Sequence, residues 1–211
     1  MDVAIFGRGM LIGFAIAAPV GPIGLLCIQR TLAHGRLTGL ATGLGAASAD
    51  ALYGTVAAFG LTAISTFLVE QRLGLGLVGG VFLCYLGLRT LLTPPPQQAG
   101  GSGAVQRWAA YGSTFLLTLT NPMTIFSFMA VFAGVGLAAV PGDYGRAALL
   151  VAGVFAGSAA WWLLLSGGVT LLRERITGGV LHWVNRAAGL VILAFGVVLL
   201  VQLEPLRLWG R

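Results

Sequence analysis

The chain has 211 residues, of which 57% are hydrophobic and only 9% are charged. Soluble domains carry roughly 25% charged residues, so this composition excludes a soluble globular protein and indicates an integral membrane protein. Twelve arginines, six acidic residues and no lysine give a net charge of +6. The arginines stand singly or in pairs at the ends of apolar runs, which is typical of membrane topology and does not favour nucleic-acid binding.

Six apolar runs long enough to cross a bilayer lie at about 9–29, 37–69, 73–92, 109–140, 147–172 and 180–202. Because a transmembrane helix needs about 20 apolar residues, the runs predict an all-α membrane protein with six transmembrane helices in a single membrane domain, residues 1–211. No cluster of positive charges precedes the first run, so we expect a retained helix and not a signal peptide.

A stretch that opens with proline, glutamine and glycine predicts a linker over residues 93–108, between repeats at about 9–92 and 109–202. The two halves share a proline break, a polar residue followed by an aromatic one, and two glycines seven residues apart. The matching pairs are Gly21-Pro22 with Asn121-Pro122, Asp50/Tyr53 with Ser158/Trp161, and Gly80/Gly87 with Gly189/Gly196. An odd number of crossings reverses direction, so the sequence predicts two inverted three-helix repeats with broken helices 1 and 4.

The two proline breaks are the first candidate for a binding site. They contain Pro19, Gly21 and Pro22 in the first run, and Asn121 and Pro122 in the fourth. Proline frees a helical carbonyl, which lipid cannot satisfy, so such breaks lie in protein packing or along a polar cavity. Freed carbonyls suit an ammonium group, and the N–H groups of the restarting helix suit a carboxylate. The breaks therefore predict a site for a zwitterion, with a proline kink that serves packing alone as the alternative.

Asp50 is the only acidic residue deep inside an apolar run. A carboxylate at bilayer depth costs ~2.5–3.5 kcal/mol on insertion scales and normally marks an ion or substrate path. Asp50 is therefore predicted to couple transport to a proton or to bind a substrate ammonium, and the sequence leaves both roles open. A protonated carboxyl that bonds to a neighbouring helix is the structural alternative. We expect Ser158 and Trp161 to join the substrate-binding set.

The remaining polar residues predict no catalysis. Cys27 and Cys84 are interpreted as small buried apolar residues, and His34 and His182 lie at loop ends. We expect no enzyme activity, no metal site and no cofactor. Seven arginines follow the first, third and fifth runs against five on the opposite side, which predicts that both termini lie outside the cytoplasm.

Several segments resemble the LysE-type amino-acid exporter family, which includes lysine, threonine and homoserine efflux proteins. The resembling positions, spread over about residues 10–202, are Pro19–Gly24, Thr31–Arg36, Gly39, Gly43, Gly45, Asp50, Gly60-Leu61, Asn121-Pro122, Gly157-Ser158 and Trp161. Here Val20 separates Pro19 from Gly21, where many relatives have Pro-Gly-Pro. The resemblance implies a bacterial inner-membrane exporter with six spans, driven by the proton gradient.

The sequence therefore predicts an exporter of amino acids or similar small zwitterionic metabolites by alternating access. Its expected partners are the amino acid, a proton and the lipid bilayer, and a homodimer stays open. Two alternatives are kept. One is a heavy-metal cation exporter, since some relatives export cadmium, and the other is a membrane scaffold that transports nothing.

Overall fold

The computed structural model describes residues 2–19, 21–59, 70–92, 103–121, 124–128, 143–173 and 178–208, and all regular secondary structure within them is helical. The helices are α1 Asp2–Ala17, α2 Pro22–His34, α3 Arg36–Ala58, α4 Arg72–Leu92, α5 Ala104–Leu119, α6 Tyr144–Arg173 and α7 Gly178–Leu208. Residues 124–128 form a further short helical segment. The predicted all-helical class is confirmed.

Three stretches of the described residues are long and apolar enough to cross a membrane, and they are Leu73–Leu92, Tyr144–Leu171 and His182–Gln202. The pair α1 and α2 forms a fourth by length and composition, bent by 82° at its break. The second and fourth predicted runs extend into residues 60–69 and 129–140, which lie outside the described residues. The count of six spans stays a prediction.

The helices pack in a small number of close pairs. Helix α1 lies along α6, α3 lies along both α5 and α6, and α4 lies along α7. Helix α2 contacts α3, α6 and α7. Many large apolar side chains on α4, α6 and α7 are exposed, among them Leu88, Leu164 and Leu190. An apolar exterior of this kind is expected where lipid surrounds the protein.

Glycines set the close approach of these pairs. A methyl group built at Gly189 on α7 would lie 3.1 Å from the carbonyl oxygen of Gly87 on α4. One built at Gly196 would lie 3.0 Å from the carbonyl oxygen of Gly80. Small residues let helix backbones approach in this way, which is how helices commonly associate in membranes.

The first break separates α1 from α2 between Ala17 and Pro22. The N–H of Ala18 still donates to the Phe14 carbonyl at 2.9 Å, after which the helix ends. Helix α2 restarts at Pro22, whose fixed φ and missing N–H suit the first helical position. A tight turn at Gly35, with φ of 90°, then connects α2 to α3. That backbone conformation favours glycine.

The α1–α6 contact generates a stability prediction at Gly153. A methyl group there would collide with the backbone of α1, at the Phe6 carbonyl and 3.0 Å from the Gly9 Cα. Overpacking of this kind typically costs ~1–3 kcal/mol. We expect Gly153→Ala to lower the thermal unfolding midpoint of the detergent-solubilised protein.

Gly167→Ala is the matched control on the same helix, because nothing lies within 4 Å of a methyl group at that position. Alanine also gains up to ~1 kcal/mol of helix propensity at either site. Gly167→Ala should therefore keep or raise the midpoint. Equal midpoints for the two variants would contradict the proposed close contact.

Candidate functional site

A buried hydrogen-bonded chain joins α3 to α6 at Asp50. The Ser158 hydroxyl donates to Asp50 Oδ2 at 2.7 Å, and Trp162 Nε1 donates to Ser158 Oγ at 3.2 Å. Asp50 is 3% exposed, Ser158 0% and Trp162 4%. The indole N–H can only donate, so it occupies one lone pair of Ser158 Oγ and leaves the hydroxyl hydrogen available for Asp50. The carboxyl group therefore accepts this hydrogen bond, which suits its ionised form.

The second carboxyl oxygen of Asp50 is differently placed. Among the described residues, no side chain or backbone group donates to Oδ1. An unused carboxylate oxygen keeps its capacity to take a proton or to accept a hydrogen bond from an ammonium group. The arrangement thus fixes one oxygen of Asp50 and leaves the other without a donor among the described residues.

The first break lies beside Asp50 on one side of α3. Ala17 at the end of α1 packs in one cluster with Ala46 and Ala47, the turn of α3 that precedes Asp50. Ile23 at the start of α2 and Trp162 belong to the same cluster. Both sides of the break therefore contact the turn that carries the carboxyl group.

The second break lies on the other side of Asp50. Tyr53, one turn after Asp50, donates its hydroxyl hydrogen to the Leu119 carbonyl at 2.6 Å, at the end of α5. Ile125 and Phe128 beyond the break pack against Tyr53. The Asn121 carbonyl accepts hydrogen bonds from Thr124 and Ile125, so it begins the short helix at 124–128. Tyr53 thus contacts both sides of this break.

The other predicted site residues take varied positions. Pro19 is exposed, while Gly21 and Pro22 are half-buried at the start of α2. Pro122 lies outside the described residues. Trp161 is half-buried and packs edge-on against Phe14 at 5.4 Å between ring centroids, so it lies next to the hydrogen-bonded chain without joining it. Trp162 is buried and donates to Ser158 instead.

A cavity of about 450 Å³, with a mainly apolar wall and several polar side chains, lies apart from Asp50. It sits where α2 and α4 end and α3, α5 and α7 begin, and Arg30, His34 and Arg89 line it. Sequence reasoning treated Arg30 only as a marker of topology. The missed signal is its distance from the break: eight residues of helix span ~12 Å, less than half of the ~30 Å hydrocarbon core. If the break lies at mid-membrane, as the sequence predicts, an arginine so close to it is expected within bilayer depth.

The cysteines occupy separate environments. Cys27 directs its thiol toward the Gly39 carbonyl at 3.5 Å, while Cys84 on α4 lies against Gly196 of α7. Over the described residues, no group of three or more His, Cys, Asp or Glu side chains is arranged to hold a metal ion.

A helical membrane protein built around a buried polar centre has the architecture of a membrane transporter. The comparisons with known proteins agree with this class. The LysE type translocator model matches residues 14–203, and the chain belongs to that family. It is 28% identical over 196 residues to the Bacillus subtilis (strain 168) protein named "Putative amino acid efflux protein YcgF", covering 91% of this chain and 93% of the relative.

A second relative is the "Uncharacterized membrane protein YahN" of Escherichia coli (strain K12), 28% identical over 179 residues, which cover 83% of this chain and 79% of the relative. No solved structure matches the chain significantly. The family resemblance expected from the sequence is confirmed, and the protein is a membrane transporter.

The Tyr53 contact at the second break generates a stability prediction. Tyr53→Phe removes the only donor described for the Leu119 carbonyl at the end of α5. Leaving a buried carbonyl unsatisfied costs ~1–3 kcal/mol, so we expect a lower thermal unfolding midpoint. Tyr144→Phe is the control, because Tyr144 is exposed and its hydroxyl has no hydrogen bond to the described residues. Equal midpoints would contradict a structural role for Tyr53 at the break.

Proposed function

We propose that the protein exports amino acids, or similar small zwitterionic metabolites, across a bacterial inner membrane. The observation that carries this proposal is the buried carboxyl group of Asp50, held through Oδ2 by Ser158 and flanked on α3 by both helix breaks. An ionisable group at membrane depth is a functional site by default, because its burial is unfavourable. The amino acid efflux named for the Bacillus relative supports the same substrate class.

In the proposed site the substrate lies between the two breaks. Gly21 and Pro22 begin α2, so the N–H groups of its first turn lack helical partners and attract a carboxylate. Asn121, and Pro122 beside it, would line the other side. Pro19, Ser158 and Trp161 complete the proposed binding set, with Ser158 acting by orienting Asp50.

The proposed architecture is a pair of inverted repeats, with α1 to α4 in the first. If the two repeats are exchanged, α1 corresponds to α5 and α3 corresponds to α6. The α1–α6 pair then corresponds to the α5–α3 pair, and both pairs are present. Under the same exchange, Gly80 corresponds to Gly189 and Gly196 corresponds to Gly87. Each of these glycines approaches its partner on the other helix, so the exchange maps the α4–α7 contact onto itself. That pattern supports a two-fold relation between the halves.

Alternating access follows from this architecture. Asp50 and Ser158 are buried, so the conformation described here holds the proposed site closed to water. Rocking of one repeat against the other would open it toward each side in turn. We call the end with the seven arginines that follow the first, third and fifth apolar runs the arginine-rich end. We propose that it faces the cytoplasm, which leaves both termini outside the cytoplasm.

Asp50→Asn separates the two roles that the sequence left open. Proton-driven efflux and substrate counterflow are measured on the same proteoliposomes with a panel of labelled amino acids, because counterflow needs no net proton movement. If Asp50 carries the proton, Asp50→Asn should abolish proton-driven efflux and keep counterflow. If Asp50 binds the ammonium group, both activities should fall at least tenfold.

Asp143→Asn is the matched control, because Asp143 pairs with Arg146 near the start of α6 at 3.0 Å. It should leave both activities unchanged. Normal efflux and normal counterflow by a correctly inserted Asp50→Asn protein would contradict the proposed role of Asp50. A wild-type protein that moves no amino acid of the panel would contradict the proposed substrate class.

A further inference from the structure

The cavity lined by Arg30, His34 and Arg89 contains a positive charge that the proposed function has not used. Arg30 on α2 lies within hydrogen-bond distance of two other helices, α3 and α5, and meets no carboxylate among the described residues. Its Nη1 donates to Thr42 Oγ1 at 3.3 Å, to the Ala110 carbonyl at 3.0 Å and to Thr114 Oγ1 at 3.0 Å. Its Nη2 donates to Ser113 Oγ at 2.9 Å.

These contacts hold the guanidinium group and leave part of it unused. An arginine has five N–H donors, two on each terminal nitrogen and one on Nε. The contacts to Nη1 and Nη2 occupy three of them, so the Nε–H and one Nη2 hydrogen of Arg30 have no acceptor among the described residues. A planar pair of donors is the arrangement that binds a carboxylate with two parallel hydrogen bonds.

No carboxylate among the described residues compensates the charge of Arg30. All its acceptors are neutral hydroxyl or carbonyl oxygens, and the one ion pair among the described residues joins Arg146 to Asp143. Arg89, a second cation, lines the same cavity and pairs with no described carboxylate. Two cations beside a partly apolar cavity create a positive potential that favours an anion.

His34 adds a second polar group with unused capacity beside the cavity. Its Nδ1 is buried and has no hydrogen-bond partner among the described residues, and other atoms of His34 line the cavity. Buried polar atoms nearly always have partners, so this one is unusual. Gln29 and Asn185, which bond to each other at 2.9 Å, add neutral polar groups to the same wall.

We propose that this cavity is a carboxylate-binding site, in which Arg30 grips the carboxylate with its unused donors and Arg89 adds charge. The assignment of that carboxylate to the transported amino acid rests on the proposed function. Thr42, which contacts Arg30, precedes Asp50 on α3 by eight residues, or ~12 Å of helix. The cavity therefore lies at a different level of α3 from Asp50, and we assign it as an entry station before the site at Asp50.

The test is ligand binding to the full-length protein in detergent, measured by calorimetry and by the rise in the unfolding midpoint. The probes are butyrate, the neutral isostere butyramide, n-butylamine, 2-aminobutyrate and inorganic phosphate. Butyrate and 2-aminobutyrate should bind, while butyramide and n-butylamine should not. Arg30→Gln should weaken butyrate binding roughly 10- to 100-fold, the range typical of a charge-assisted hydrogen-bond pair.

Arg30→Gln also removes contacts that join helices, so a variant without that risk is needed. Arg89 is exposed and has no hydrogen bond to the described residues, so Arg89→Gln should fold normally and still weaken butyrate binding several-fold. Arg36→Gln is the matched control, because Arg36 is an exposed arginine at the same end that does not line the cavity. It should bind butyrate like the wild type.

Equal binding of butyrate and butyramide, tighter binding of phosphate than of butyrate, or full butyrate affinity in Arg89→Gln would each overturn the proposal. The two proposals fail separately. A protein that transports amino acids without binding butyrate contradicts only the carboxylate site. A protein that binds butyrate and transports none of the amino acids contradicts only the export function.

Discussion

The hydrogen bond from Ser158 to Asp50 is the constraint on which the rest of the site depends. It joins α3 to α6 where the two helices cross, in surroundings that contain mainly alanine, tryptophan and leucine. A polar group so placed is tolerated only when its partner is fixed, and Trp162 fixes it by donating to Ser158. The two breaks then contact α3 immediately before and immediately after the carboxyl group. The buried carboxyl group and the two helix breaks therefore lie at one level of the molecule.

Glycines on α3 allow this close contact with α6. The same glycines bear on the alternative that the protein is a membrane scaffold. Gly39 and Gly43 form a ridge on α3 that could have served a partner protein. In the structure, a methyl group at Gly43 would collide with Trp162, and one at Gly39 would collide with Thr31. The ridge is thus used inside the chain, to bring α2 and α6 against α3, and it is not offered to a partner helix.

The helix breaks, the buried carboxyl group and the glycine contacts could be predicted from the sequence. Unpaired carbonyls and buried charges are costly in lipid, and small residues let helices approach closely. The pairing of Asp50 with Ser158 follows from their matching places in the two halves. The choice between Trp161 and Trp162 could not be made in that way. Position i+3 matched Tyr53 in the first half, but the donor to Ser158 is at i+4. Which of two adjacent tryptophans faces a neighbour depends on the rotation of α6, which its apolar sequence does not determine.

The cavity lined by Arg30 could not be predicted for a related reason. Arg30, Gln29 and His34 lie near the end of an apolar run, where such residues normally face the membrane surface. Their convergence depends on the 82° bend between α1 and α2, which directs α2 toward α7 and α5. The sequence predicts that the helix is interrupted but not the direction in which it continues. Long-range geometry therefore decides which polar residues become neighbours.

The central claim is that the region around Asp50 opens to water during transport. Ala47→Cys, in protein whose Cys27 and Cys84 are replaced by alanine, tests it most directly in proteoliposomes with a small water-soluble thiol reagent. Ala58→Cys is equally buried on α3 but packs against α6 away from both breaks, so it serves as the control. The account predicts that position 47 is labelled, that transported amino acid protects it, and that position 58 stays unlabelled. Absence of labelling at position 47, with or without amino acid, would contradict it.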